Sequence, residues 1–219
     1  MSLSDDARTL WDAARRLNTQ ALDRAAAPVS RRALRPLPPL LFFTDPQRTP
    51  APWETAARLP AGAAVVYRSF GAADAETTAR RLRAVTEDRG VLLLIGLDAD
   101  LAQRVAADGV HLPEKALAEA PVLEQRRPDW LLTGAVHALD AMHAPPALHA
   151  LVLSPVFAAG GASGLRPALG IAALAAAAVR APCPVYALGG IGPDNVEQLA
   201  DSGACGIAGV EAVRRAFAG

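Results

Sequence analysis

Eight short apolar runs, each followed by a stretch of helical character, predict an α/β fold: a single (β/α)8 barrel, the TIM-barrel class, with one extra helix at its N-terminus. Three observations carry this prediction. The apolar runs are continuous rather than alternating, as strands of a parallel sheet buried on both faces are. Strand and helix patterns alternate from residue 40 to the end. The 219 residues sit at the small end of the roughly 200 to 400 usual for such barrels. Residues 1–39 are expected to form the helix and a Pro/Arg-rich lead-in, and residues 40–219 the barrel.

Taken in order, residues 5–27 place Leu10, Trp11, Ala14, Leu17, Leu22 and Ala25 at three- and four-residue spacings, a helical period. Ser4 is its expected cap, with Asp5 and Asp6 complementing the N-terminal dipole. The stretch Ser30–Pro39 then ends helical structure, and Arg31, Arg32 and Arg35 are expected to be solvated or to cover the barrel floor. Strands follow at Leu40–Thr44, Ala63–Tyr67, Val91–Ile95, Val110–Leu112, Leu131–Ala135, His149–Leu153, Val185–Leu188 and around Ile207–Ala208. The helices expected between them are Trp53–Leu59, Asp74–Asp88, Asp98–Ala106, a turn or two in Pro113–Ala120, Leu139–His143, Ile171–Val179 and Pro193–Ala200, and Val210–Phe217 closes the chain. A glycine-rich loop runs over Ala158–Gly170.

Lys+Arg and Asp+Glu number 22 each, so no overall field favours nucleic acid or a membrane surface. No uncharged run approaches the ~18 residues of a membrane span. The N-terminal stretch is charged throughout and lacks a signal-peptide core, so a cytoplasmic location is expected. Cys183 and Cys205 lie in or beside apolar strands and read as two buried thiols. No Gly-x-Gly-x-x-Gly motif opens the first unit, which argues against a dinucleotide-binding sheet.

The most telling stretch is Val185–Asn195: a strand, a glycine turn and Pro193, with a second strand–glycine unit at Cys205–Val210. Paired glycines let backbone amides approach a ligand closely, and amides at such turns favour an anion. In a (β/α)8 barrel the turns after the seventh and eighth strands are where phosphate binds. Gly189, Gly190, Ile191, Ala208 and Gly209 are therefore the candidate phosphate-binding residues. The same glycines also serve simply as tight βα turns.

A set of motifs in fixed order gives this chain a family resemblance. They are Leu41-Phe42-Phe43-Thr44-Asp45, Val65-Val66-Tyr67-Arg68, Asp108-Gly109-Val110-His111-Leu112, Thr133-Gly134-Ala135-Val136-His137, Ser154-Pro155-Val156-Phe157 and Ala187-Leu188-Gly189-Gly190-Ile191 with Asn195. The chain resembles thiamine phosphate synthases and their TenI-type thiazole tautomerase relatives. The resemblance implies a barrel whose mouth binds phosphorylated thiazole and pyrimidine ligands, and it is compatible with a homodimer. For the synthase branch it implies Mg²⁺ on a departing pyrophosphate. Several motif positions differ. Phe70 stands where that branch has a lysine, Gly96-Leu97 replace Asn-Asp, Pro113-Glu114-Lys115-Ala116 replace Gly-Gln-x-Asp, Ala158–Ser163 replace a Thr-x-Thr-Lys-type loop, and Glu211 replaces a phosphate-facing serine.

Arg68, at the end of the second strand, is a candidate anion clamp or a rim ion pair. His137 matches a histidine of both branches and is either a proton shuttle or a hydrogen-bonded rim residue. Asp98 is the candidate metal ligand in place of the displaced aspartate, with Asp100 and Glu114 nearby, although Asp98 and Asp100 also suit a helix cap. Asp45 reads as a turn residue, His111 as packed inside the barrel, and His143 and His149 as surface or helix-end residues. Three activities remain open: the synthase reaction, metal-free tautomerisation, and ligand binding without turnover.

Overall fold

In the computed structural model, residues 3–25, 36–138, 145–160 and 166–218 are described. Eight parallel strands close on themselves in the order of the chain, the first pairing with both the second and the eighth. They are β1 (Leu40–Phe43), β2 (Ala64–Tyr67), β3 (Leu92–Gly96), β4 (Gly109–Leu112), β5 (Leu131–Val136), β6 (Ala150–Leu153), β7 (Val185–Leu188) and β8 (Ile207–Gly209). The expected (β/α)8 barrel is the fold. Each strand is short, but nearly every residue in it is buried, which is why the sequence reads as unbroken apolar runs.

Within each strand alternate side chains serve different layers. Leu41, Phe43, Ala64, Val66, Leu94, Leu131, Ala150, Val152, Tyr186 and Ala208 form one cluster that fills the barrel interior. Their neighbours Phe42, Val65, Leu93, Val110, Leu132, Leu151 and Ala187 belong to the larger cluster between strands and helices. This alternation decides the site. Counting on by twos from Val66 brings Arg68 to the mouth on the interior side, and counting from Thr133 brings His137 there.

The helices are α1 (Asp5–Ala25), α2 (Pro52–Ala56), α3 (Ala75–Arg89), α4 (Ala99–Arg104), α5 (Ala120–Arg126), α6 (Gly170–Arg180) and α7 (Glu211–Ala216). Ser4 caps α1 as expected, its hydroxyl accepting from the Ala7 amide at 3.2 Å and donating to the Ala216 carbonyl at 2.8 Å. The Asn18 amide group donates to the carbonyls of Leu37 and Cys205 at 3.2 and 2.9 Å, tying α1 to the lead-in and to the start of β8. The Tyr186 hydroxyl donates to Pro38 at 2.6 Å. Leu37 packs with the interior cluster, so α1 and the lead-in together close the barrel floor.

Two elements differ from expectation. The unit after β7 is not an α-helix over Pro193–Ala200; turns lead into a 3₁₀ helix at Val196–Leu199. The Asn195 side chain accepts from the Gly192 amide at 2.9 Å and donates to the Gly190 carbonyl at 2.8 Å, holding a turn that competes with helix formation. Residues 114–119 are 3₁₀ and run directly into α5, which the sequence reading missed. Cys205 is buried as expected, whereas Cys183 is half-buried, and both are free thiols. Burial pushes the Cys183 thiol up to about 12. The expected helix over Leu139–His143, the lead-in arginines Arg31, Arg32 and Arg35, and Gly161–Leu165 of the glycine-rich loop lie outside the described residues. No described helix is long and apolar enough to cross a membrane.

Candidate functional site

At the C-terminal mouth of the barrel the turns after β7 and β8 bound a hollow of about 320 Å³. Gly189, Gly190, Ile191, Ala208 and Gly209 line it, as do Arg48, Arg68, Glu211 and Arg215. The backbone at Gly189 and Gly190 has φ of 103° and 65°. A Cβ on Gly190 would stand 2.3 Å from the Ala158 carbonyl oxygen, so here glycine is needed to seat the β7 turn against the loop after β6. The amides of Gly190 and Ile191 donate to no acceptor among the described residues. Those at the start of α7 are left over in the way of any helix N-terminus.

Arg68 is the charged wall of this hollow. Its amide donates to the Thr44 hydroxyl at 2.9 Å and its Nε to the Thr44 carbonyl at 2.8 Å. Its guanidinium carbon lies 5.3 Å from the Phe43 ring centre and 5.2 Å from that of Phe70. Its Nη2 is buried with no hydrogen-bond partner among the described residues. No carboxylate among the described residues pairs with it, because Asp45 is taken by Arg48 at 3.0 Å. Burial lowers the Arg68 pKa to about 10, and the Arg48 charge adds to this while Asp45 opposes it. A buried guanidinium with an idle N–H edge is costly unless an anion completes it.

Glu211 lines the hollow but does not close it: its carboxylate is hydrogen-bonded to Arg215 one turn along α7. That i,i+4 pair offsets part of the repulsion a bare carboxylate would offer a phosphate. Asp45 is the expected turn residue, accepting from the amides of Gln47 and Arg48 at 3.1 Å each. Burial would raise its pKa, but the hydrogen bonds and charge of Arg48 overcome this and leave it lowered.

His137 sits on the other side of the mouth, half-buried at the end of β5. Its Nδ1 lies 3.0 Å from the Ser154 carbonyl oxygen and 3.1 Å from the Ser154 hydroxyl. With a proton on Nδ1 the ring donates to the Ser154 carbonyl and turns Nε2 free toward the mouth; in the other tautomer the Ser154 hydroxyl donates to Nδ1. His111 is packed within the barrel as expected, its Nδ1 2.9 Å from the Thr133 hydroxyl and its ring edge-on to Phe43 at 4.9 Å. Burial, with the charges of Arg68 and His137, lowers its pKa from 6.5 to about 3. Between those values only the unfolded state holds the proton, so stability falls as pH is lowered through that window. His111→Gln is expected to flatten the acid loss of Tm between about pH 6 and 4. Thermal melts across that range check this, and an unchanged slope contradicts it.

His149 half-buries at the entry to β6, its Nδ1 accepting from the Leu132 amide at 3.1 Å; His143 lies outside the described residues. Asp98 is exposed and caps α4, its Oδ1 accepting from the Leu101 amide at 2.8 Å. Asp100 lies within ion-pair distance of Arg126, at 3.7 Å. Among the described residues no three His, Cys, Asp or Glu side chains converge as a metal set. Mg²⁺ is commonly held by one or two carboxylates together with waters and substrate phosphates, and Asp98, the candidate ligand, is engaged here as the cap of α4. The sequence reading missed the role of Phe70, which is visible only as a ring lying over Arg68.

The chain matches the family model for thiamine monophosphate synthase over residues 40–213. Similar proteins include a putative thiamine-phosphate synthase 2 of Aquifex aeolicus, 34% identical over 134 residues, which cover 60% of this chain and 71% of that one. A thiamine-phosphate synthase of Anaeromyxobacter dehalogenans is 40% identical over 139 residues, and the match spans 61% of each chain, short of two-thirds of that relative's length. A solved thiamine phosphate pyrophosphorylase from Pyrococcus furiosus superposes with a TM-score of 0.69 at 24% identity, covering 81% of this chain and 91% of its own, a likeness of fold.

Proposed function

The chain belongs to the thiamine monophosphate synthase family, and from that premise we propose that it binds a phosphorylated thiazole-type heterocycle at the barrel mouth and moves a proton on its ring without a metal. The observation that carries the reading is Arg68, a half-buried residue whose Nη2 is buried without a partner among the described residues, lining a hollow bounded by the Gly190 and Ile191 amides, which find no acceptor among those residues. A phosphate dianion supplies what both lack: acceptors for the amides and a counter-charge for the arginine. His137 Nε2 then takes a proton from a ring carbon, the C–H electron pair passing into the ring. The imidazolium keeps Nδ1–H on the Ser154 carbonyl and returns the proton at a second atom of the same heterocycle. The shift is an isomerisation and consumes no oxidant, reductant or co-substrate. The low pKa of His111 keeps a second charge out of the mouth.

The names of the relatives favour a second reading, joining of a pyrimidine pyrophosphate to the thiazole phosphate. Purified protein in excess EDTA separates the two. Isomerisation of a non-aromatic thiazole phosphate tautomer that proceeds unchanged in the chelator supports the proton-transfer reading. Thiamine phosphate formed only with added Mg²⁺, with no isomerisation, overturns it in favour of the second.

A further inference from the structure

We propose that His111 is the electrophilic partner of His137: its Nε2–H, held in place by the Thr133 hydroxyl, donates to the ligand ring heteroatom on which charge collects when a ring proton is removed. The inference rests on the proton-transfer reading above and adds a second residue to it.

His111 and Thr133 stand opposite each other on β4 and β5, joined inside the barrel by their side chains. His111 also pairs with Gly96, the last residue of β3, so it belongs to the uppermost layer of the interior. Its ring rests edge-on against Phe43, the same ring that lies under Arg68. Ala135, the next position on that side after Thr133, carries only a methyl group, and His137 follows at the rim. The floor of the mouth is therefore an imidazole that the charges of both Arg68 and His137 reach.

The Thr133 residue is completely buried and its hydroxyl makes one hydrogen bond among the described residues, 2.9 Å to His111 Nδ1. Were Nδ1 the donor, the hydroxyl proton would be left without an acceptor in a site closed to water, a costly arrangement. The hydroxyl therefore donates to Nδ1, and the ring proton belongs on Nε2. Nε2 bonds to no described group, yet it is not sealed off as Arg68 Nη2 is. The interior cluster fills the barrel below, so the small opening left to this 6% exposed residue is the mouth. Burial keeps the imidazole uncharged at neutral pH. An uncharged donor favours negative charge as it develops without setting a second cation beside Arg68 and the imidazolium forming at His137. When His137 takes the proton, the C–H electron pair passes into the ring and the bond from His111 strengthens. His111 keeps its own proton throughout, and the electron pair leaves the heteroatom as His137 returns the proton to the second ring atom.

The test combines NMR of the ring nitrogens with kinetics on the full chain. In the unaltered protein the long-range proton–nitrogen spectrum of His111 is expected to show the Nε2–H tautomer. Its Nε2 resonance should move when a thiazole alkyl phosphate is added, and stay in place with inorganic phosphate. His111→Leu should slow isomerisation of the non-aromatic thiazole phosphate tautomer by about 100-fold, the scale of one donor lost from a developing charge, with inorganic phosphate affinity within about twofold. Thr133→Val should slow it by about tenfold, and Thr133→Ser, which keeps the hydroxyl, should retain the rate. An Nδ1–H tautomer, or an unchanged rate in His111→Leu while the unaltered chain isomerises, overturns the role of His111 and leaves the proton-transfer reading standing. Equal losses of phosphate affinity and rate in His111→Leu and Thr133→Val would assign the pair to packing instead. If the unaltered chain does not isomerise the tautomer, the proton-transfer reading fails and this role fails with it.

Discussion

Arg68→Met is expected to weaken binding of inorganic phosphate and of phosphomonoesters by about 100-fold, the loss of one or two charge-assisted hydrogen bonds in a desolvated site. The change should not lower Tm. Replacement removes a buried cation that no described carboxylate neutralises and whose Nη2 is unpartnered, and methionine fills a similar volume between the Phe43 and Phe70 rings. Against this stand one lost bond, from Nε to the Thr44 carbonyl, and the cation's contacts with the Phe43 and Phe70 rings. Arg68→Lys should not restore affinity, because an ammonium cannot hold Thr44 and present a planar edge to the phosphate together. In the unaltered protein, anion binding should persist through neutral pH, since even with burial lowering the Arg68 pKa to about 10 the guanidinium stays charged there. Calorimetry with parallel thermal melts checks both parts. A tightly binding Arg68→Met variant, or one that unfolds, would show that the arginine is a structural rim residue.

His137→Gln is expected to lower the isomerisation rate by about 10²- to 10⁴-fold, the usual loss for a positioned general acid–base group. Affinity for the phosphorylated ligand should stay within about threefold, since the phosphate is held by other groups. The split between rate and affinity separates a proton shuttle from a histidine that merely braces β5 against Ser154. Glutamine keeps a donor near the Ser154 carbonyl but cannot carry the proton. Loss of affinity and rate together would assign His137 to structure.

The barrel was legible because its strands are buried on both faces. Leu40–Phe43 and Ala64–Tyr67 are entirely buried and read as plain apolar runs. The order of the strands follows the order of the chain, so no long-range pairing had to be guessed. Helix boundaries were less legible where side chains compete with the backbone, as Asn195 does after β7. Helix α5 was hidden by Pro121 in its first turn and by Val122, an exposed valine on a helix surface. At the site, the glycine turn and the position of Arg68 followed from strand ends and period. The idle Nη2 did not, because it depends on Thr44, Asp45 and Arg48 arriving from another strand end and leaving no carboxylate over. The harmlessness of Glu211 was half visible: Arg215 stands four residues on, yet only the fold shows that the two pair.

The most direct test is a crystal structure of the protein with a thiazole alkyl phosphate. The phosphate is predicted within hydrogen-bond distance of the Gly190 and Ile191 amides and of the Arg68 guanidinium, with Glu211 still turned to Arg215. A ligand bound elsewhere, with the Glu211 carboxylate swung into the hollow and Arg68 paired to it, would contradict the account.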